Sequence, residues 1–197
     1  MARSLALCLA GAAALQAPAP RPARTALGST EIGVGPETGG VMWDPAGFGK
    51  LASPTTMKWF RASELKHGRV AMLATIGYTY PEMPWFAQAF PGDAYSHSNP
   101  IKAALAVPPE AWAQVVLFCG VMEWSLNGGK VTMMTMFDGT SRAPGDFGWD
   151  PMGLMSPANE ERMKMRELQH GRLAMIAIGG MIHGSFVTGT GVFGGMN

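Results

Sequence analysis

Two copies of one short motif carry the side chains in this sequence that are best suited to chemistry. Each copy has a glutamate, a histidine three residues later and an arginine two residues after that: Glu64-x-x-His67-Gly68-Arg69 and Glu167-x-x-His170-Gly171-Arg172. In a helix, residues three apart occupy neighbouring positions on one face. A carboxylate oxygen or an imidazole nitrogen can ligate a metal, and small neighbours leave room for a flat ring with a metal such as magnesium at its centre.

The two motifs belong to an internal repeat with an offset of 103 residues. Nine of the fourteen positions from 64 to 77 are identical to their counterparts in 167–180. Upstream, a Trp-Asp-Pro-x-Gly loop and a Ser-Pro pair recur in the same order in both copies. Because two copies of one unit fold alike, we expect two equivalent helices related by a pseudo-twofold axis.

The charges of the motif have no good partner within their own helix. Glu64 and Arg69 are five residues apart, so they lie about 140° apart around the helix axis. Across a pseudo-twofold axis, Glu64 would instead meet Arg172. By the same symmetry Glu167 would meet Arg69. We expect these two ion pairs to join the two helices in an X inside the protein, where loss of one partner would leave a charge stranded.

Three apolar segments are predicted to be helices, at 54–80, 110–126 and 157–187. Ser53 and Ser156 are suitable N-caps, and each is followed by a proline at the first helical position. Pro81 is expected to end the first helix. The Pro-rich stretch 81–109 and the Gly-rich stretch 127–148 are expected to be irregular connectors, and no alternating pattern indicates a strand.

Length and charge together predict how these helices relate to a membrane. None of the segments contains 18 consecutive uncharged apolar residues, the simple requirement for a membrane span. If the Glu–Arg pairs neutralise each other, the first and third helices extend over about 27–31 residues, or roughly 40–46 Å, and can cross a hydrocarbon core of about 30 Å at a tilt. We therefore expect an all-α membrane protein with three transmembrane helices, the first and third crossed and related by pseudo-twofold symmetry.

Composition excludes several classes of function. Fifteen Lys and Arg against fourteen Asp and Glu leave a net charge of +1, which gives no basic surplus for nucleic acid. Two cysteines cannot build a disulfide framework. The apolar core and the basic, acid-free stretch within residues 1–27 are typical of a bipartite plastid-targeting peptide, with a plain secretory signal as the alternative. The functional domain is therefore expected to be 28–197.

On the doubled motif and its Trp-Asp-Pro-x-Gly loops, the sequence resembles the light-harvesting chlorophyll-binding protein family, in its chlorophyll a/c (fucoxanthin/peridinin-type) branch. The resemblance implies an antenna protein in which Glu64 and Glu167 ligate chlorophyll magnesium while they are ion-paired to Arg172 and Arg69. It also implies further ligands on all three helices: His67 on the first, Gln114 and Glu123 on the second, and His170 and His183 on the third. Magnesium contact is implied for Glu64, His67, Glu123, Glu167 and His170.

The same resemblance implies the cofactors, partners and location. The cofactors would be chlorophyll a, chlorophyll c and carotenoids of the peridinin, fucoxanthin or diadinoxanthin type, with carotenoid ends near 43–48 and 149–154. The partners would be a photosystem core, neighbouring antenna subunits and thylakoid lipid. Basic residues cluster at the start of the first helix and between the second and third, whereas the opposite side has only Lys102. This asymmetry predicts a plastid thylakoid protein whose mature N-terminus is stromal.

Two other functions fit part of the pattern. A photoprotective, energy-quenching member of the same family would share every motif, and lumenal acidic residues that sense pH would distinguish it. A di-iron carboxylate bundle enzyme also uses Glu-x-x-His on two helices, but it needs a further glutamate from each of two more helices. Only one more helix is predicted here, so we expect no catalytic residues and no enzymatic activity.

Overall fold

The computed structural model describes residues 33–35, 39–83, 97, 99–151, 153, 155–156 and 158–194. The described residues fall into two units, and the boundary along the chain lies between Trp43 and Asp44. In the first unit, the amide of Gly40 donates to the carbonyl of Gly35 at 3.1 Å and closes a turn. Every helix below belongs to the second unit. The predicted targeting segment, 1–27, lies outside the described residues.

The second unit is built from helices and turns. The helices among its described residues are α1 (Phe48–Leu51), α2 (Pro54–Thr79), α3 (Pro100–Ala106), α4 (Pro109–Leu126) and α5 (Glu160–Thr188). A 3-10 turn, Tyr80–Glu82, continues directly from α2. No strand forms in the part of the chain that the structure describes. The all-α prediction is therefore confirmed for these residues.

Capping side chains set the helix starts. The hydroxyl of Ser53 accepts a hydrogen bond from the amide of Thr56 at 3.2 Å, and Pro54 is the first residue of α2, as predicted. Helix α5 begins later than the predicted residue 157, because the carbonyl of Ser156 accepts from the amide of Asn159 in a turn that precedes the helix. Two glutamates then occupy the first turn of α5, where the helix dipole favours negative charge.

The prediction of a wholly irregular connector over 81–109 was wrong at its end. Helix α3 forms there because the side-chain oxygen of Asn99 accepts from the amides of Ile101 and Lys102, at 2.9 and 3.4 Å. Pro100 occupies the first helical position, where its missing N–H costs nothing. The Asn-Pro pair was therefore a helix-start signal inside a segment whose prolines otherwise suggested irregular structure.

Helices α2 and α5 pack against each other through their two motif glycines. A Cβ atom built on Gly68 would lie 3.0 Å from the Cα of Gly171, and the reverse distance is also 3.0 Å. Six of the seven buried residues of these helices are small: Ala62, Gly68 and Ala71 on α2, and Gly171, Ala174 and Ser185 on α5. The seventh is Leu168 on α5. The stripe of small residues that suggested room for a flat ring is therefore, at Gly68 and Gly171, the contact between the two helices.

Large apolar side chains point away from this contact. Equivalent positions of the repeat are exposed on both helices: Val70 and Leu73 on α2, and Leu173 and Ile176 on α5. Helix α4 has no buried residue, although Val115 to Phe118 are all apolar. The described helices therefore show small residues inside and large apolar residues outside.

None of the described helices by itself combines the length and the hydropathy that mark a membrane span. Helices α3 and α4 reach those values only as a pair, across a bend of 97°.

Candidate functional site

Two crossed ion pairs lie at the contact between α2 and α5. The guanidinium Nε of Arg172 lies 2.7 Å from Oε1 of Glu64, and Nε of Arg69 lies 2.5 Å from Oε1 of Glu167. This is the pairing that the repeat predicts. The four side chains are 27–39% exposed, so the pairs are half-buried rather than enclosed, because no other described helix covers them. Each pair uses one oxygen of its glutamate.

The second oxygen differs between the two copies. Oε2 of Glu64 accepts a hydrogen bond from Nη1 of Arg61 at 2.5 Å, so both oxygens of this carboxylate meet a guanidinium group. No described residue donates a hydrogen bond to Oε2 of Glu167. Lys164, the repeat counterpart of Arg61, pairs instead with Glu160 at 2.5 Å. Counting only the described residues, both oxygens of Glu64 therefore have a partner, whereas Glu167 has a partner at Oε1 alone.

The three candidate histidines share one geometry. In each, Nδ1 lies within hydrogen-bond distance of the carbonyl four residues earlier: 2.7 Å from His67 to Ser63, 2.8 Å from His170 to Arg166 and 3.0 Å from His183 to Gly179. A carbonyl only accepts, so Nδ1 carries the proton. In the neutral ring this leaves an unprotonated Nε2. All three rings are exposed on the helix surface. This arrangement orients an imidazole as a metal ligand.

Helix α4 is tied to α2 through its candidate glutamate. Oε2 of Glu123 accepts from Nζ of Lys66 at 2.6 Å and from Nδ2 of Asn127 at 3.1 Å. The side-chain oxygen of Asn127 accepts in turn from Arg142, at 2.9 Å, in the following connector. No described residue donates a hydrogen bond to Oε1 of Glu123. Gln114 is exposed, nine residues before Glu123.

Three of these contacts, those of Arg61, Lys66 and Arg142, were not predicted from the sequence. These residues belong to the basic clusters from which only the orientation of the chain was predicted. A signal was present for two of them, since the copies of the repeat differ at these positions: Arg61 corresponds to Lys164, and Lys66 to Gln169. Different residues at equivalent positions of a repeat indicate that the two positions make different contacts.

The candidate ligand atoms described above are single oxygens and nitrogens, which suits a metal that has most of its ligands from another molecule. The described residues hold no group of three or more His, Cys, Asp and Glu side chains that could bind a metal ion. A di-iron centre needs several carboxylates and two histidines around one point, so its ligand set is not assembled in these ranges. A magnesium bound in a macrocycle would have ring nitrogens as ligands and would take one further oxygen or nitrogen from the protein. Single oxygens and nitrogens at helix surfaces, such as Oε2 of Glu167 and Nε2 of His67, fit that need.

Comparison with known proteins identifies similar chains. The model of the family described as chlorophyll A-B binding protein matches residues 29–186. A fucoxanthin-chlorophyll a-c binding protein of Chattonella marina var. antiqua is 37% identical over 76% of this chain and 66% of its own length. Protein D of the same description, from Phaeodactylum tricornutum, is 32% identical over 88% of this chain and 89% of its own.

A second group of relatives has a different description. Light-harvesting complex stress-related protein 3.2 of Chlamydomonas reinhardtii is 34% identical over 77% of this chain and 61% of its own length. The chain thus spans slightly less than two thirds of the Chattonella and Chlamydomonas relatives.

Proposed function

Because this chain belongs to the chlorophyll A-B binding protein family, we propose that it is a light-harvesting antenna protein that binds chlorophyll and carotenoid and transfers excitation energy to a photosystem. One observation supports this most strongly: the crossed Glu–Arg pairs neutralise two glutamates, and among the described residues Oε2 of Glu167 has no hydrogen-bond partner and could ligate magnesium. Bound chlorophyll would supply the light absorption, and the protein would set the spacing and orientation of the pigments. No enzymatic step is part of the proposal.

The proposed magnesium ligands lie on the three long helices: Glu64, His67, Glu123, Glu167 and His170. Gln114 and His183 are proposed as further chlorophyll-binding residues. For the histidines, the support is the unprotonated Nε2 on an exposed face. For Glu123, it is the Oε1 atom that remains after Lys66 and Asn127 have bonded to Oε2.

The proposed cofactors are chlorophyll a, chlorophyll c and carotenoids of the fucoxanthin, peridinin or diadinoxanthin type. The names of the Chattonella and Phaeodactylum relatives support chlorophyll a and c and, among the carotenoids, fucoxanthin. The carotenoids would lie in the grooves of the crossed helices α2 and α5.

The proposed location is the plastid thylakoid membrane, with α2, α4 and α5 crossing it. At about 1.5 Å per residue, α2 and α5 are roughly 39 and 44 Å long, more than a hydrocarbon core of about 30 Å. Their outward Val, Leu and Ile side chains would face lipid or pigment, and the ion pairs reduce the charge that enters the membrane. The basic residues around the start of α2 and before α5 favour a stromal N-terminus. A photosystem core and neighbouring antenna subunits are the proposed partners.

Reconstitution of the full chain with extracted pigments in detergent tests the antenna function. We expect several chlorophylls per protein and a fluorescence excitation spectrum in which light absorbed by chlorophyll c and carotenoid emits from chlorophyll a. Emission from chlorophyll a only when chlorophyll a itself is excited would contradict the proposal.

An energy-quenching function is the second candidate, because the stress-related Chlamydomonas protein is 34% identical to this chain. The chlorophyll fluorescence lifetime of the reconstituted protein distinguishes the two functions. A harvester should keep a nanosecond-scale lifetime at both neutral and mildly acidic pH, whereas a pH-dependent quencher should show a shorter lifetime at acidic pH.

A further inference from the structure

The two copies of the repeat hold their glutamates differently, and the cause lies one turn earlier in each helix. Residue 160 is a glutamate and pairs with Lys164 at i,i+4. Its counterpart in α2 is Met57, which has no charge. Arg61, the counterpart of Lys164, therefore lacks an acidic partner one turn earlier and pairs forward with Glu64. A single difference between the copies thus redirects a cation onto one of the two motif glutamates.

This difference leaves the two carboxylates with unequal capacity to bind a metal. Glu167 faces one arginine through Oε1 and keeps Oε2 without a hydrogen-bond donor among the described residues. Glu64 faces Arg172 through Oε1 and Arg61 through Oε2. The Arg61 side chain is only 16% exposed, so this contact is more sheltered than the Arg172 pair. A magnesium that approached Oε2 of Glu64 would share that oxygen with a nearby cation, and the two positive groups would repel each other.

We propose that Arg61 is a positioning residue that makes the Glu64 site the weaker of the two chlorophyll sites. The inference rests on the proposed function. Glu167 offers an oxygen directly, whereas Glu64 offers one freely only when Arg61 moves away. Chlorophyll at Glu64 therefore dissociates first, and this site exchanges or loses pigment while the Glu167 site stays filled.

The test measures the dissociation of chlorophyll from the reconstituted full chain after dilution into excess detergent. The unmodified protein should show an early phase of about one chlorophyll, which disappears from the kinetics of Glu64→Leu, where no oxygen ligand remains. In Met57→Glu, the new carboxylate lies four residues before Arg61, so Arg61 should pair with it and release Glu64. In Arg61→Leu the competing cation is absent. We expect the early phase to slow about tenfold in both variants, because a charge-assisted hydrogen bond no longer competes for the oxygen.

Lys164→Leu is the matched control in the other copy, and it should leave the early phase unchanged. If Arg61 only supports the fold, Arg61→Leu should lose chlorophyll faster, the opposite sign. If Arg61→Leu does not fold, Met57→Glu still decides, because it keeps the arginine. An early phase with an unchanged rate in a folded Met57→Glu protein overturns the inference alone. A chain that retains no chlorophyll in any form overturns the proposed function, and this inference with it.

Discussion

At the scale of single residues, the atom of a candidate ligand that could bind a metal is the one that has no hydrogen bond or ion pair already. A bond from Nδ1 to the preceding turn leaves Nε2 unprotonated in each neutral histidine, and at Glu167 an arginine on Oε1 leaves Oε2 without a hydrogen-bond donor among the described residues. Such a glutamate is both an ion-pair partner and a candidate ligand. Loss of its arginine should therefore affect folding and pigment binding together, whereas loss of a histidine should affect only binding.

Replacement of His67 by leucine should remove about one chlorophyll and leave the fold intact. The ring is exposed, and its Nδ1 bond goes to a carbonyl of its own helix, so no contact between helices is lost. Pigment stoichiometry, together with the far-ultraviolet circular dichroism, measures this. His97→Leu is the control, because His97 is exposed in a connector and is not a candidate ligand. An unchanged stoichiometry in His67→Leu would show that the ring only packs against its surroundings.

Replacement of Arg69 by leucine should lose the chlorophyll at Glu167 and lower the free energy of unfolding by about 2 kcal/mol. This figure lies between the values for exposed and buried ion pairs, since both side chains are about one-third exposed. A double-mutant cycle with Glu167→Gln measures the coupling between the two residues. Additive effects of the two replacements would mean that the crossed pair carries no energy of its own.

At the scale of elements, two of the long helices meet where no side chain intervenes. The glycines of the two motifs bring the backbones of α2 and α5 together, and this approach places the arginine of each helix within reach of the glutamate of the other. The ion pairs therefore depend on the glycine contact. A change at the contact should disturb both pairs at once, because both pairs join the same two helices.

Gly68→Ala should destabilise the protein by about 1–3 kcal/mol, the usual cost of overpacking. The new methyl group would lie 3.0 Å from the Cα of Gly171, and backbone cannot rotate away as a side chain can. Thermal unfolding of the pigment-loaded protein measures the loss. Gly77→Ala, in the same helix, is the control, since a Cβ there meets nothing within 4 Å. Equal stability of the two variants would contradict a glycine-dependent contact.

At the scale of the described second unit, hydrogen bonds between residues far apart in the sequence connect the ends of α2, α3 and α5. The carboxylate of Glu82 accepts hydrogen bonds from the amides of Val192 and Phe193, more than 100 residues later. Near the same end of α5, the side-chain amide of Asn99 donates to the carbonyl of Gly189 at 3.0 Å. These contacts attach the segment after α5 to the ends of α2 and α3.

Glu82→Ala should free the segment after α5 without unfolding the helix pair. The two amides would lose a charged acceptor, a contribution of about 1.5–3 kcal/mol for each hydrogen bond. We expect hydrogen exchange at Val192 and Phe193 to accelerate at least about tenfold, while the amides around Gly68 and Gly171 exchange at their original rates. Acceleration throughout α2 and α5 would instead mean that Glu82 supports the whole unit.

The sequence by itself determined the features that repeat or act locally. The duplicated motif predicted the Glu64–Arg172 and Glu167–Arg69 pairs. Within each copy the Glu and the Arg are five residues apart and lie too far around the helix to pair with each other, so each is expected to pair with the other copy. Ser53 and Pro54 marked the start of α2 because capping depends only on neighbouring residues. The predicted resemblance to the chlorophyll a/c branch is confirmed by the fucoxanthin relatives. The roles of the individual ligands remain predictions.

Only the tertiary structure decided which cation meets which oxygen. Lys66 and Glu123 are 57 residues apart, and Glu82 and Val192 are 110 apart. Such pairs depend on where the connectors place each helix, which no local pattern encodes. The pairing of Arg61 with Glu64 also has a local cause outside the motif, since Met57 offers no carboxylate one turn earlier, whereas its counterpart Glu160 does. For the same reason, two motifs that are nearly identical in sequence differ in the atoms that they leave free.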